Sequence, residues 1–404
     1  MKKIEGGVCA PIGFRANGVH CGIRKNKTKR DLSLIVSDVR AAAACVYTQN
    51  LVKGAPIRVT KRHVADGYAQ AIVCNSGNAN TCNADGEEIA EEMCALVEGQ
   101  TGIPAADVVV ASTGVIGQPL SLEPIRAGMP ALAEGLSEDG SLFAAQGIMT
   151  TDTVDKQIAY SFTLGGKECR IGAIGKGVGM INPNMATMLI FITTDASISP
   201  EMLQKALSAD VKDSFNMVSV DGDTSTNDMV CVLANGMAEN EPVTAPGKDF
   251  TVFRKALNKV TTALCRSIAK DGEGATKLLE CKVTGAKSRQ AARTVAKSVI
   301  KSSLFKAAMF GADANWGRVL CAIGYAGAEV DIGRVNVDFR SRAGTVAVCR
   351  EGSGIPFSEE EAKKVLSEDE IEVLIRLGDG NGKATAWGCD LTYDYVKING
   401  DYRT

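Results

Sequence analysis

The chain repeats one pattern: a short run of apolar residues that ends in a turn of Gly, Ser, Asn or Thr. The clearest examples are 70-QAIVCNSGNAN-80, 107-DVVVASTGVIG-117, 188-MLIFITTDA-196 and 229-MVCVLANG-236. A strand with one wet face alternates polar and apolar residues, so unbroken runs of this length fit strands buried on both faces. Such strands need helices to cover them, and helical patterns lie between them. One is 86-GEEIAEEMCALVEG-99 with Asp85 as its N-cap; another is 199-SPEMLQKALSADVKDSF-215 with Ser199 as N-cap and Pro200 at the first helical position. Two more span residues 249–272, stopping at Gly272, and 288–309, broken near Ser302. The last quarter alternates instead, with strands at 332–340, 344–350, 371–378 and 383–399 and a helix at 358-SEEEAKKVLS-367. Strands and helices mix throughout, which predicts an α/β chain, either α+β or layered. A boundary is expected at Thr284-Gly285-Ala286, dividing a main domain of residues 1–285 from a smaller C-terminal α/β lobe of residues 286–404.

Composition excludes several classes of function. With 404 residues the chain can build two sizeable cores. A net charge of −2 gives no electrostatic footprint for nucleic acid or an anionic membrane surface. No window reaches the roughly 18 apolar residues of a membrane span. Met1-Lys2-Lys3 runs into Ile4-Glu5-Gly6-Gly7 rather than the apolar stretch of a signal peptide, so the chain reads as cytoplasmic. The 13 cysteines are odd in number, widely spaced and form no CxxC pair, which points to reduced, buried thiols rather than disulfides or a zinc site. There are two histidines, His20 and His63, the latter in Lys61-Arg62-His63 and expected on a solvated surface. Neither has a catalytic motif around it, so acyl-transfer chemistry here would need a different base.

Three strand-end turns carry the chemistry. In 111-ASTGVIG-117, Thr113 and Gly114 can offer a hydroxyl and a backbone N–H to one oxygen, the need of an oxyanion hole, although such a sequence also serves as a plain turn. The stretch 149-MTTDTVDK-156 reads by itself as a cap or loop. In 174-IGKGVGMINPNMATMLIFITTDA-196, Gly175, Gly177 and Gly179 suggest a dinucleotide loop, but that loop follows a strand and opens a helix, whereas these glycines precede a strand. Lys176 among them could bind a carboxylate or a carbonyl oxygen, or be a surface lysine. Thr187 stands at the mouth of the apolar run. If the Ala186–Thr187 bond is cut, Thr187 gains a free α-amine of pKa ~7.7–8.0 that can act as base for its own hydroxyl. The same atoms would make the cut: Thr187 Oγ attacks the Ala186 carbonyl, an N→O acyl shift follows, and water cleaves the ester. The alternative is an ordinary strand threonine. Asp221 and Asp223 in DGDTSTND lack the Gly and Glu of a calcium loop and read as turn-building or site-supporting. Glu273 in DGEGATK reads by itself as a solvated turn acid, and the Trp316 segment as structural.

Taken together, GKGVGMINPNMATML, CNSGNAN (74–80), STGVIG (112–117), IMTTDT (148–153), DGDTSTND (221–228), DGEGATK (271–277), FGADANWGR (310–318) and the final INGDYRT (398–404) resemble, in order and end to end, the ornithine acetyltransferase (glutamate N-acetyltransferase) family of arginine biosynthesis. That resemblance implies a layered αββα-type sandwich like that of N-terminal-nucleophile enzymes. It implies autoproteolysis after Ala186 into chains of residues 1–186 and 187–404, which would assemble as an α2β2 heterotetramer. Thr187 would be the nucleophile, and Thr113 and Gly114 the oxyanion hole. Thr150, Lys176, Thr187, Glu273, Asn399 and Thr404 would bind substrate. The implied reaction moves acetyl from N2-acetyl-L-ornithine to L-glutamate through an acetyl-Thr187 intermediate, with no metal or cofactor. Some family members also take acetyl-CoA as co-substrate. A different enzyme class that shares the cleavage logic, an N-terminal-nucleophile amidohydrolase or aminopeptidase, would transfer to water instead. A binding protein that has lost activity is disfavoured by the intact Ala186-Thr187 junction and the Ser-Thr-Gly turn.

Overall fold

A computed structural model describes residues 1–182 and 188–400. Its strands run in chain order as β1 (Lys2–Ile4), β2 (Phe14–Val19), β3 (Leu32–Tyr47), β4 (Tyr68–Asn78), β5 (Val108–Val115), β6 (Lys156–Leu164), β7 (Lys167–Lys176), β8 (Leu189–Thr194), β9 (Val218–Ser219), β10 (Met229–Ala234), β11 (Leu278–Ala286), β12 (Asn336–Ser341), β13 (Gly344–Arg350), β14 (Ser353–Gly354), β15 (Glu370–Arg376) and β16 (Gly382–Cys389). The chain divides into two compact units. One holds Met1–Gly177, Asn184–Val211 and Thr224–Leu264; the other holds Val178–Pro183, Lys212–Asp223 and Cys265–Thr404. The α/β class expected from the mixed patterns is what the chain adopts. The expected boundary near residue 285 is not where the units part: Gly285 lies in β11, which hydrogen-bonds to both β15 and β16 inside the second sheet.

The first unit is built on a sheet of order β1-β6-β7-β8-β10-β3-β4-β5, with β2 paired to β3. Its strands are apolar on both sides for the reason the sequence suggests. Ile72, Cys74, Val109 and Ala111 pack on one face with Ile148 of the helix Ser141–Ile148. The alternate residues Val73, Val108 and Val110 pack on the other with Met93 and Val97 of the helix Gly86–Thr101 and Met129 of the helix Glu123–Glu134. Strand β8 sits inside this sheet, antiparallel to β7 and parallel to β10, and is buried at every residue. The second sheet, order β14-β13-β12-β15-β11-β16-β9, keeps one wet face. Leu279, Cys281 and Val283 of β11 point inward, while Glu280 and Lys282 face out into an ion-pair ladder with Glu372 and Arg266.

The cap at Ser199 and the break at Ser302 form as the sequence suggests. Ser199 caps the helix Pro200–Asp210 through the Met202 N–H, and Ser302 separates Arg289–Lys301 from Ser303–Phe310 while capping the latter through the Phe305 N–H. Asp85 makes no side-chain cap, and the apolar stretch read as strand to residue 399 stops at Cys389 and gives way to the helix Tyr393–Gly400. All cysteines are free thiols, and all but Cys21, Cys82 and Cys321 are buried. His63 is not on a solvated surface: its ring is largely enclosed, with Nδ1 2.8 Å from Val108 O and Nε2 3.0 Å from Glu91. Among the described residues no helix is long and apolar enough to cross a membrane.

Candidate active site

The strand-end turns of the first unit are tied to one another by buried side chains. The parallel strands β4 and β5 finish side by side, and Gly114 pairs with Gly77 across them. Gly114 has φ +137°, and a Cβ there would lie 2.3 Å from the Gly77 carbonyl carbon, so the close approach of the two turns requires glycine. Ser112 Oγ donates to Asn75 Oδ1 (2.6 Å), and Ser76 Oγ donates to Gly147 O (2.7 Å) at the end of the helix that leads into IMTTDT. Asn227, in the DGDTSTND stretch, locks the cluster: its Nδ2 donates to Ala79 O and Ser112 O, and its Oδ1 accepts from the Thr81 and Thr226 hydroxyls. Nothing in the local sequence marks Asn227 for this role, because apart from Thr226 its partners lie over a hundred residues away.

Asp152 organises the next layer. Its side chain is fully buried; Oδ1 accepts from Lys156 Nζ (2.8 Å) and the Gly177 N–H (3.0 Å), and Oδ2 from the Thr150 N–H (2.9 Å). Burial pushes this carboxyl up, but Lys176, Lys156 and the hydrogen bonds outweigh it and bring the pKa down to about 2. The stretch read as a simple cap or loop therefore fixes Thr150 and the chain just after Lys176. Lys176 ends β7, and its ammonium donates to Thr113 Oγ1 at 3.3 Å. It is not a surface lysine: burial lowers its pKa, partly offset by Asp152 and Asp228. Asp228 is buried, its Oδ2 has no hydrogen-bond partner among the described residues, and burial raises its pKa well above the ordinary value despite Ser225 and Lys176. Lys176 and Met229 both pair with Leu189, and the Met229 N–H donates to Met188 O at 2.9 Å, so Lys176 at the end of β7 and Asp228 just before β10 flank the start of β8. Gly175 lies in β7, and Gly177 and Gly179 follow it and precede β8 as expected; among the described residues no helix opens after them, so the dinucleotide reading fails.

The second unit carries another cluster. Glu273 is not a solvated turn acid: it is 7% exposed, its N–H donates to Val178 O (2.9 Å), and its Oε2 accepts from Asn399 Nδ2 (2.8 Å) in the helix Tyr393–Gly400. The carboxylate lies against Gly179, where a Cβ would come within 2.4 Å of Oε2. Asp221 accepts from the Met180 N–H (2.6 Å), the Ile181 N–H (2.9 Å) and the Asp223 N–H (3.1 Å), which makes it the turn-building residue the sequence suggested. Lys306, buried, donates to Val220 O just before it. Ala186, Thr187 and Thr404 lie outside the described residues. The residues expected to touch substrate are thus divided between the two units, with Thr150 and Lys176 in the first and Glu273 and Asn399 in the second.

Comparison with known proteins matches the chain to a family model, ArgJ family, over residues 15–404. The chain is 50% identical to "Arginine biosynthesis bifunctional protein ArgJ 1" of Clostridium acetobutylicum, across 97% of this chain and 96% of that protein. It is 48% identical to the "Arginine biosynthesis bifunctional protein ArgJ" of Caldanaerobacter subterraneus subsp. tengcongensis, across the full length of both. A crystal structure of the protein of that same name from Bacillus halodurans is 50% identical, with a TM-score of 0.50, and covers 53% of this chain and 99% of the crystallised one. A family model that spans nearly the whole sequence, with relatives of this identity and coverage, leaves no ambiguity: the chain belongs to the ArgJ family.

Proposed function

We propose that this chain is an acetyltransferase of arginine biosynthesis that moves acetyl from N2-acetyl-L-ornithine to L-glutamate through an acetyl-Thr187 intermediate, after cutting itself between Ala186 and Thr187. The observation that carries this reading is that Lys176, which pairs with Leu189 at the start of β8, donates to Thr113 Oγ1 beside Gly114 at the end of β5, while the next residue, Gly177, is held by Asp152. The names of the relatives support it, since they are called bifunctional proteins of arginine biosynthesis. The crystallised relative supports the cut: matched over 99% of its own length, it accounts for 53% of this chain, the share that a fragment starting at residue 187 would make up.

The chemistry needs no histidine. The freed α-amine of Thr187 takes the hydroxyl proton as Oγ attacks the acetyl carbonyl, and the tetrahedral oxyanion is met by the Thr113 hydroxyl and the Gly114 N–H. Collapse releases L-ornithine, whose amine takes up the proton. The amine of L-glutamate then attacks the acetyl ester and restores the threonine hydroxyl. One amide is exchanged for another of similar stability, so the transfer needs no energy-rich co-reactant. Lys176 retains donor capacity beyond its bond to Thr113, enough for the carboxylate that both amino-acid substrates carry. Thr150, Glu273, Asn399 and Thr404 would bind the substrate as the family resemblance implies, and the two fragments would assemble as an α2β2 heterotetramer in the cytoplasm. We extend the proposal to acetyl-CoA as a second acetyl donor.

The test is an assay with acetylornithine plus glutamate beside one with acetyl-CoA plus glutamate and one with acetylornithine alone, read together with mass analysis under denaturing conditions. Two fragments, transfer to glutamate faster than to water, and a single inactive 42.4 kDa chain from Thr187→Ala are expected. An uncut chain that still transfers acetyl would refute the nucleophile; release of acetate alone would favour the hydrolase.

A further inference from the structure

The hydroxyl of Thr113 has one proton to donate and two lone pairs to accept with. Among the described residues its oxygen has one recorded partner, Lys176 Nζ at 3.3 Å, and its proton has no acceptor. An ammonium has donors only, so this contact occupies a lone pair and leaves the Thr113 O–H turned away from Lys176. Lys176 is in turn held from behind. It lies in the field of Asp152, which Lys156, the Gly177 N–H and the Thr150 N–H hold in place, and of Asp228 at the head of β10; Lys156 and Cys74 are the other titratable groups that act on it. Every one of these groups belongs to the first unit.

We propose that Lys176 is a positioning residue of the oxyanion hole: by occupying a lone pair of Thr113 Oγ1, its ammonium orients the Thr113 hydroxyl so that the free proton faces the oxygen on which negative charge develops. This goes beyond a contact to the substrate carboxylate, and it rests on the acyl-transfer reading above. A hydroxyl fixed in advance costs no reorientation when the tetrahedral intermediate forms, and a cation on its far side makes it a better donor. No proton moves between Lys176 and Thr113 in this role.

A double-mutant cycle on the full chain tests it. Thr113→Val, Lys176→Met and the double variant are assayed for acetylornithine-to-glutamate transfer, with rates expressed per cleaved protein and folding checked by circular dichroism. Removing one oxyanion donor costs on the order of 100-fold in kcat. Thr113→Val and Lys176→Met should therefore each lower kcat by about that factor, and the double variant should lie within about threefold of the single ones, because two residues that act through one proton are not additive. Losses that multiply, or a Lys176→Met variant in which KM rises while kcat holds, would overturn the proposal and leave Lys176 a substrate-binding residue only. If Lys176→Met does not fold, Lys176→Leu, which also lacks a donor at this position, takes its place in the cycle with the same two outcomes. A wild-type protein inactive in this assay would count against the acyl-transfer reading itself, whereas an active wild type with multiplying losses counts against the role of Lys176 alone.

Discussion

Asp152→Asn is the substitution whose cost follows most directly from the structure. The carboxylate is buried together with Lys156, with side-chain exposures of 0% and 1%, and it accepts two backbone N–H groups as well. A folded pKa of about 2 against an ordinary 3.8 corresponds to about 2 kcal/mol of stability at neutral pH. Removing one partner of a buried pair costs about 3–5 kcal/mol, because the remaining charge is left without its counterion. We expect about 3 kcal/mol, or a fall of about 6–12 °C in the melting of the first unit, measured by calorimetry. Replacing Lys156 with Met in the same chain should recover part of that loss, since no uncompensated ammonium remains, but not all of it, since one amide oxygen cannot serve both Gly177 and Thr150. The sign of the pH dependence is fixed. A depressed carboxyl contributes stability above its unfolded pKa, so the wild type should lose this contribution as pH falls from about 4 toward about 2, while Asp152→Asn should not. A melting change under about 2 °C, or a larger loss in the double variant than in Asp152→Asn, would refute the reasoning.

Two further outcomes can be checked on the same protein. Asp228→Asn should stabilise the chain: a buried carboxyl with a raised pKa costs stability as pH climbs above its unfolded value, so the gain in urea denaturation should be clear at pH 8 and fade near pH 4. A gain that grows on acidification would contradict this assignment. Gly179→Ala should displace the Glu273 carboxylate from Asn399, because the new methyl would sit 2.4 Å from Oε2. Losing a charged hydrogen bond of about 1.5–3 kcal/mol should raise KM for the amino-acid substrates roughly tenfold or more, and an unchanged KM would remove Glu273 from the substrate site.

The sequence alone determined the elements and the family. The apolar runs, the caps at Ser199 and Ser302 and the motif order are local properties, written in residues a few positions apart, and the fold repeats them closely. Local properties also misled: Asp85 has cap chemistry but makes no cap bond, and Gly285 has turn chemistry but lies within a strand that pairs with a neighbour on each side. Only the tertiary structure decided which polar residues are buried and which partners they meet. Glu273 and Lys176 look like surface charges in sequence, but Glu273 is buried and Lys176 is half-buried against Thr113; the stretch 149–156 looks like a cap and supplies the buried pair Asp152–Lys156; Asn227 looks like a turn residue and joins strand ends more than a hundred positions away. The reason is physical. Propensity and periodicity act over one or two turns of chain, whereas the cost of burying a charge, and so its pKa and its role, depends on partners that only folding brings within reach.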